Sequence, residues 1–584
     1  MSNSRNRWLG LVFISMAISL VIIDGTIVNT IFPSITKSLT LTDTQIQWVQ
    51  ESYVLVFASL LLVWGSLADR FGRRLMLIVG IAVFVAASIW AGMATTPDAL
   101  ILARIVQGLG GAMVLPTTLS LVNANFVGKE RGIAFAVWGA TIGGMVAVGP
   151  VLGGWLTTVD WKLDLSVVVI ETWRWAFWVN LPFGVLVIAG LIFFVNESRQ
   201  AQREGGIDFV GALFAAVGFF TLTFGLIEGR FYGWWDQKAS FNLLGFYDWP
   251  KESISVIPVS LFFSVVFFTV FVMWERARDK AHKNVILDLN LFKIKSFRNG
   301  SIAALIISMG EFGLIFAIPL WLQNIEGLDA LHSGIVLLWL AGGAFLASAM
   351  VGGLSGKLSP VLAVRIGVVL EIVGIVGLGF FASVAGNWQS IAAWLCIYGF
   401  GVGVATAQLT GVIMQDVPLE KVGQGSGTQS TSRQVGSALG IAVLGSLLFT
   451  GLSTNVSNNV QGMQELSGIN KAQVKLLADN IGELTSQSAG AVVPNLSALL
   501  QSTGAPANFA DSIAVQAREG FTQSVRTTAY AAAGFLALGL IATFTIKGRR
   551  PEEQAWAKAA EPGTKPDAGK DPDLYDTSES GSQS

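Results

Sequence analysis

Runs of about twenty apolar residues recur along the whole of this 584-residue sequence. That length lets an α-helix cross a hydrocarbon core of about 30 Å, and lipid offers the backbone no other hydrogen-bond partner. The predicted fold class is therefore an all-α polytopic membrane protein with fourteen transmembrane helices. The runs lie at about 8–34, 47–67, 75–94, 98–123, 131–157, 175–195, 208–228, 256–275, 299–323, 333–355, 361–384, 388–414, 423–450 and 525–546.

The composition agrees with a membrane protein and argues against several other classes. Hydrophobic residues make up 52% of the chain and charged residues 13%, about half the charged fraction of a soluble protein. The net charge of −1 gives no reason to expect nucleic acid as a partner. The single cysteine, Cys396, excludes an internal disulfide and a cysteine-ligated metal site, and His282 and His332 lie far apart in sequence. No Walker lysine loop occurs, so ATP is not expected as the energy source. We expect no cofactor.

Charge in the loops predicts the orientation of the helices. The loop between the second and third runs carries Arg70, Arg73 and Arg74, whereas the loops at 95–97 and 324–332 contain no Lys or Arg. Basic residues concentrate in cytoplasmic loops, and here every second loop is basic. With an even number of helices, both termini are predicted to be cytoplasmic.

The order of the runs also predicts the domains. A partial repeat of the 65–74 pattern at Gly352-Gly353-Leu-Ser-Gly-Lys357 suggests two related six-helix bundles flanking an extra helix pair, a known transporter plan. The predicted units are a cytoplasmic N-terminus (1–7), an N-terminal bundle (8–200), two extra central helices with their loops (201–298), a C-terminal bundle (299–546) and a disordered cytoplasmic tail (547–584).

Two stretches outside the membrane interrupt this plan. The loop 229–255 contains several Trp residues that we expect at the membrane interface. The insert 451–524 is polar and rich in alanine, and Val474, Leu476, Leu477, Ile481 and Leu484 recur within it at helical spacing. We therefore expect an amphipathic helix there, with a loosely ordered loop as the alternative.

Ionisable residues inside the predicted helices are functional candidates, because each costs about 2.5–3.5 kcal/mol to insert into a membrane. Asp24 in the first run and Arg104 in the fourth lie at similar depth, so that an ion pair is geometrically allowed. Gln107, about one helical turn beyond Arg104, extends the same polar face. A purely structural bridge is the alternative to a role in coupling.

Glu311 and Arg433 form a second set of candidates. Glu311 lies near the middle of the ninth run with no partner in its own helix, which suggests a carboxyl that binds a proton or substrate, or else a permanently neutral packed acid. Arg433 lies in a polar run, Gln429–Gln434, that cannot face lipid and must line a cavity or another helix. Glu371 is similar, whereas Glu51 and Glu228 fall near the ends of their runs, where solvated or interfacial roles are expected rather than coupling.

Two glycine-rich motifs predict moving parts. In Gly65-Ser-Leu-Ala-Asp69-Arg70-Phe-Gly72-Arg73-Arg74, the glycines allow close approach and a tight turn, and Asp69 can accept hydrogen bonds from a helix N-terminus or a cation. In the fifth run, glycines four residues apart allow close helix packing, and Pro150 after Gly149 kinks the helix. Such a segment is suited to a hinge or a seal, with ordinary packing as the alternative.

Taken together, these motifs resemble the major facilitator superfamily and its fourteen-helix drug:proton antiporter branch. The 65–74 loop is similar to the superfamily signature, Arg104 with Gln107 to the helix-4 motif, Gly149-Pro150 to the helix-5 antiporter motif, and Asp24-Gly-Thr-Ile-Val-Asn29 to a helix-1 motif. The resemblance covers residues 8–546. Glu311 and the insert 451–524 lie outside these motifs, so the resemblance assigns them no role.

The resemblance implies a proton-coupled exporter of amphipathic drugs or other small hydrophobic compounds, working by alternating access in the plasma (inner) membrane. Asp69 and Arg70–Arg74 would latch the two halves together, and protonation of Asp24 or Glu311 would shift the balance of states. We expect a monomer whose partners are lipid, protons and substrate, with an accessory periplasmic or membrane partner left open. The alternatives are a lipid, siderophore or metabolite exporter, or a sensor or scaffold. An enzyme is not expected, because no nucleophile–base or metal-ligand set is visible.

Overall fold

The chain folds almost entirely as α-helices that run back and forth through a bundle. The computed structural model describes residues 4–546 except 42, 127, 159–162, 165–168, 200–205, 244–246, 252, 355–358, 385–386 and 467–469. The tail 547–584 and Lys357 lie outside the described residues. The helices are α1 Ser4–Leu39, α2 Asp43–Phe71, α3 Arg73–Met93, α4 Pro97–Asn125, α5 Gly128–Thr158, α6 Thr172–Trp178, α7 Asn180–Phe194, α8 Phe209–Tyr232, α9 Val256–Lys280, α10 Lys295–Asn324, α11 Ala330–Leu354, α12 Pro360–Phe381, α13 Gln389–Met414, α14 Val422–Gln461, α15 Lys471–Gln487, α16 Leu496–Ser502 and α17 Ala507–Thr543. Two small hairpins pair β1 Leu163–Asp164 with β2 Val169–Ile170 and β3 Phe241–Leu243 with β4 Tyr247–Trp249.

Within the described residues, fourteen helical stretches are long and apolar enough to cross a membrane, which confirms the predicted number. The sixth, Thr172–Phe194, consists of α6 and α7 together. Pro182 lies in the first turn of α7 and has no backbone N–H to donate to the preceding turn, which accounts for a break at Val179.

The helices form two bundles and a separate pair, as predicted. Helices α1–α7 enclose apolar clusters built only from N-terminal residues, and a larger cluster is built mainly from α10–α14 and α17. Helices α8 and α9 pack on each other, where Ser260 and Ser264 of α9 donate hydrogen bonds to backbone carbonyls of α8 at 2.8 and 3.0 Å. The predicted domain bounds at 200 and 298 stay predictions.

The extra pair α8–α9 lies against both bundles. Phe224 of α8 shares a cluster with Leu55 of α2, and Leu226 of α8 shares another with Ala438 and Ala442 of α14. The pair therefore flanks the line along which α2 and α14 face each other. The loop that follows α8 forms the β3–β4 hairpin and leaves Trp235 exposed.

The insert is a set of ordered helices in its described part, and the two neighbouring transmembrane helices extend into it. Helix α14 continues to Gln461 and α17 already begins at Ala507, because Val456, Val460, Ile513 and their neighbours go on packing the two helices together beyond the apolar runs.

Between these two long helices, α15 is the predicted amphipathic helix. It buries Val474, Ala478 and Ile481, while Leu476 is 64% exposed and Leu484 is also exposed. The loosely ordered alternative is therefore wrong for residues 471–487. We call the end of the bundle that carries residues 65–74 the motif face, and the end that carries α15 the insert face.

Candidate functional site

A buried ion pair lies inside the N-terminal bundle. Asp24 of α1 accepts a hydrogen bond at 2.5 Å from Nη1 of Arg104 in α4, and the two side chains are 0% and 1% exposed. The guanidinium also donates to the carbonyl of Val49 at 3.3 Å and lies 4.3 Å from the centre of the Tyr53 ring. Burial removes both charges from water, so their mutual attraction and these extra contacts must offset a large desolvation cost.

Amide and hydroxyl groups complete this network. Gln107 donates to Asp24 at 2.7 Å and accepts from Arg104 at 2.7 Å. Asn180 at the start of α7 donates to Asp24 at 3.0 Å and to Ser88 of α3 at 2.8 Å. Three helices of one bundle, α1, α4 and α7, thus meet at a single carboxylate, which fixes its orientation and satisfies both of its oxygens.

A second charged pair joins two helices of the C-terminal bundle. Nη2 of Arg433 in α14 lies 3.4 Å from Oε2 of Glu311 in α10, and Thr406 of α13 donates to the other oxygen at 3.4 Å. The sequence shows no partner for Glu311 within its own helix, and the partner instead comes from another helix, which spacing within α10 cannot reveal. Both contacts are longer than those around Asp24, so this pair is the looser of the two.

Glu311 and Arg433 line a cavity between the two bundles, of about 20 Å³, room for about one water molecule. Gly139 and Gly143 of α5 form the opposite wall together with Ile142 and Val146. Asp24 and Arg104 are not among the lining residues, so the two charged pairs are separate sites.

The Asp69 carboxylate joins the two bundles at the motif face. It accepts from Nε and Nη2 of Arg73 at 3.0 and 2.7 Å within its own bundle. It also accepts from the backbone N–H groups of Gly423 and Gln424 at 2.9 and 3.1 Å, at the start of α14 in the other bundle. Unpaired N–H groups and the positive end of the helix dipole both attract a carboxylate at this position.

Glycine makes that contact possible. A Cβ atom on Gly65 would lie 2.6 Å from the carbonyl oxygen of Gly423 and 2.7 Å from the Cα of Gly427. Any larger residue would push α2 away from α14, and the Asp69 hydrogen bonds would lengthen with it. We call Asp69, Gly65 and the first turn of α14 the latch.

The remaining motif residues bind within the N-terminal bundle. Arg73 donates to Ser198 Oγ at 2.8 Å and Arg74 to the Val195 carbonyl at 3.0 Å, while Arg70 is exposed. Gly72 has a φ of 115°, and the carboxyl of Glu197 lies where its side chain would be. Sequence reasoning missed Glu197, which accepts from the first backbone N–H groups of α3 and so fixes the turn.

A second contact supports the latch. Lys421 forms an ion pair with Asp288 in the segment between α9 and α10, and Gln424 accepts a hydrogen bond from the Asp288 N–H at 3.0 Å. Burial opposes ionisation of Asp288, but the hydrogen bonds from Lys421 and Asn290 outweigh it and lower its pKa below the ordinary value of 3.8. Gln424 therefore links Asp69 to the segment that follows the extra helix pair.

The glycines of α5 face two neighbours. Cβ atoms on Gly149 and Gly153 would collide with Thr26 and Thr30 of α1, so this face packs inside the N-terminal bundle. On the other face, the Cβ of Gly154 would lie 2.5 Å from the Cα of Leu331 in α11.

Pro150 lies at the same contact between the bundles. A Cβ atom on Gly334 of α11 would come within 3.0 Å of the carbonyl carbon of Pro150. The bundles thus touch through α5 and α11 near the insert face and through the latch at the motif face.

The acids that sequence reasoning placed in solvated positions lie deeper than predicted. Glu228 of α8 is 1% exposed, because the β3–β4 hairpin packs on the end of α8. It lies within electrostatic reach of Glu51 in α2. Asn180 was also missed, although an amide in an apolar run just before a proline was a usable signal.

Comparison with known proteins agrees with this architecture. A sequence model of the Major Facilitator Superfamily matches residues 14–441. The multidrug resistance protein Stp of Mycobacterium tuberculosis (strain CDC 1551 / Oshkosh) is 30% identical over 459 residues, 78% of this chain and 79% of that protein. The tetracenomycin C resistance and export protein of Streptomyces glaucescens is 27% identical over 448 residues, 76% of this chain and 77% of that protein.

Solved structures share the fold at low sequence identity. The inward-facing, unoccupied structure of a bacterial homolog to the human lysosomal transporter Spinster has a TM-score of 0.51 at 16% identity, covering 93% of this chain and 98% of that one. The proton:xylose symporter XylE has a TM-score of 0.52 at 10% identity, covering 86% and 97%. With fourteen membrane helices and relatives named for multidrug and antibiotic resistance, the chain belongs to the Major Facilitator Superfamily and to its fourteen-helix drug-transporter branch.

Proposed function

We propose that this chain exports small amphipathic compounds across the plasma membrane in exchange for protons. The observation that carries the proposal is the Glu311–Arg433 pair on the wall of the cavity between the bundles. Apolar walls with one carboxylate and one guanidinium suit a compound that is mainly hydrophobic and carries a charged group. The names of the relatives, which include multidrug resistance and antibiotic export, support the same class of substrate.

Transport would proceed by alternating access around this cavity. The latch holds the motif face closed, and the basic residues of that face make it the cytoplasmic side, with both termini there. To take up substrate from the cytoplasm, Asp69 must release the first turn of α14 while the α5–α11 contact near the insert face stays closed. Gly149 and Pro150 would let α5 bend as the two contacts alternate.

Protons would supply the free energy through the buried carboxyl groups. Moving one charge down a 100 mV potential yields about 2.3 kcal/mol. In this scheme Glu311 exchanges Arg433 for a proton or for the charged group of the substrate. Asp24 is bound by Arg104 and Gln107, and its protonation would change the conformation of the N-terminal bundle.

The test is efflux from proteoliposomes that contain the purified full chain, with an imposed pH gradient and a fluorescent lipophilic cation as probe. We expect gradient-driven transport by the parent protein, and its loss in Glu311→Gln and Asp24→Asn. Glu483→Gln is the matched control, because Glu483 is an exposed acid on α15 whose removal touches neither site. Unchanged gradient-driven efflux in both charge-removing variants would overturn the assignment of these carboxyls.

A further inference from the structure

A second buried carboxyl lies behind Glu311, and no step above uses it. Glu371 is near the middle of α12, its side chain is 0% exposed, and neither of its oxygens has a hydrogen-bond partner within the described residues. Asp24, Asp69 and Glu311, by contrast, each accept a hydrogen bond from an arginine side chain. Glu371 therefore differs from these carboxylates in having no donor among the described residues.

The site around Glu371 is closely packed. Gly401 of α13 lies against it, and a Cβ atom on Gly401 would come within 2.5 Å of the Glu371 backbone nitrogen and 2.8 Å of its Cγ. Glycine at 401 thus makes room for the stem of the acid. For an ionised carboxylate at this position, no hydrogen bond would offset the free energy of desolvation.

The charged and titratable groups near Glu371 come from three helices. Glu311 of α10 and Arg433 of α14 are within electrostatic reach of it, and Tyr398 of α13 is within reach of both acids. The Tyr398 hydroxyl donates to the backbone carbonyl of Glu311 at 3.1 Å. On α17, which also packs on α12, Arg526 and Tyr530 contact α12 near Ala382 and Gly379, two turns or more away.

Two acids therefore share one cation. Arg433 and Thr406 both contact Glu311, so the ionised form of Glu311 is better stabilised in this conformation than that of Glu371. A second negative charge nearby, with no donor and no cation left to it, is strongly disfavoured. The acid that lacks partners is therefore the one that favours its protonated form.

We propose that Glu371 is a second proton-binding group of the C-terminal bundle, protonated in this conformation and coupled to Glu311 through their shared cation Arg433. This inference deepens the proposed function, since it rests on Glu311 being the acid at the transport cavity. It gives the bundle two carboxyls that titrate as a pair. Any event that draws Arg433 away from Glu311 changes how firmly Glu371 holds its proton.

Infrared spectroscopy of the purified full chain in lipid tests the proton directly. We expect a protonated-carboxyl C=O band that shifts in D₂O and is absent from Glu371→Gln. Should that variant fail to fold, Glu371→Met, of similar size, takes its place. A band that persists unchanged in the folded variant would overturn the proposal.

The coupling is tested by recording the same band against pH in two further variants. Glu311→Gln leaves Arg433 without its anion, so Glu371 should lose its proton at a pH lower by about one unit, the coupling at which two acids titrate as a pair. Arg433→Gln removes the cation and should shift the loss to higher pH. An acid that is merely packed would respond to neither change, and that result would overturn the coupling.

Efflux measurements separate this inference from the proposed function. If the parent protein shows no gradient-driven efflux, the proposed function fails while the infrared results still decide whether Glu371 holds a coupled proton. If the parent does transport, Glu371→Gln should retain substrate binding and shift the pH dependence of efflux by about one unit. An unchanged pH dependence would mean that the Glu371 proton takes no part in transport, against the proposal.

Discussion

Replacing Asp69 with Asn should open the motif face. The side chain keeps its shape and one carbonyl oxygen, but it loses its charge and one of the two acceptors that bind Gly423 and Gln424. Of the hydrogen bonds that Asp69 accepts from described residues, only these two cross between the bundles. The bonds to Arg73 lie within the N-terminal bundle and weaken equally in the open and closed states, so they do not enter the difference.

The size of the effect follows from those crossing contacts. A hydrogen bond to a charged group contributes roughly 1.5–3 kcal/mol, and a charge at a helix terminus adds about 0.3–1 kcal/mol. Because Asn keeps one neutral hydrogen bond, we expect the closed state to lose about 2–3 kcal/mol. That corresponds to a shift of roughly 30- to 150-fold in the closed-to-open equilibrium.

Pulsed electron paramagnetic resonance can measure this shift in lipid. Spin labels at the exposed positions Phe71 and Glu420, in a background with Cys396→Ser, report the distance between the bundles at the motif face. We expect the longer distance to gain population in Asp69→Asn. The matched control is Glu197→Gln, because Glu197 also accepts helix N-terminal N–H groups but only inside its own bundle.

Two results would refute this reasoning. The first is a distance distribution in Asp69→Asn that equals that of the parent protein. The second is an equal opening in the Glu197→Gln control, since that would make the loss of any carboxylate near the loop sufficient. Either result would mean that the hydrogen bonds to α14 do not hold the motif face closed.

Three further variants test other parts of the molecule. Arg104→Gln should lower the free energy of unfolding by about 3–5 kcal/mol, because it leaves Asp24 buried without its cation, and adding Asp24→Asn should restore part of the loss in thermal unfolding. Gly154→Ala should reduce efflux severalfold by separating α5 from α11, whereas Gly342→Ala, at a position facing open space, should transport normally. The lowered pKa of Asp288 predicts a stabilising contact that is complete above about pH 4 and lost as the pH falls below it; hydrogen exchange of residues 285–294 should show this loss in the parent protein but not in Asp288→Asn.

The sequence was enough to predict the helices, since a span of lipid imposes its length on each apolar run. It also identified Asp24 and Arg104, because ionised groups stand out in such runs. What it could not supply was contact between helices distant in sequence. The pairing of Glu311 with Arg433 depends on how α10 meets α14, and no periodicity within either helix encodes that.

The same limit explains the errors at the ends of the helices. The length of an apolar run indicates only the part of a helix that lies inside lipid. The sequence therefore did not predict that α14 and α17 continue beyond their apolar runs. Glu228 was assigned to a solvated or interfacial end, because no pattern in the sequence predicts that the β3–β4 hairpin packs on α8. Burial of a polar group by a distant segment is a property of the assembled fold.

Helix α14 joins the two ends of the molecule. Its 40 residues make it roughly 60 Å long, about twice the thickness of the hydrocarbon core. Its first turn binds Asp69, and its last turns carry α15, which also accepts a hydrogen bond from Arg230 of α8 through the Ser486 carbonyl at 3.1 Å. If α14 moves as a rigid lever, a tilt of about 5° at one end displaces the other by roughly 5 Å, given that length. A ligand that binds α15 and restrains or shifts it would then displace the first turn of α14 at the motif face.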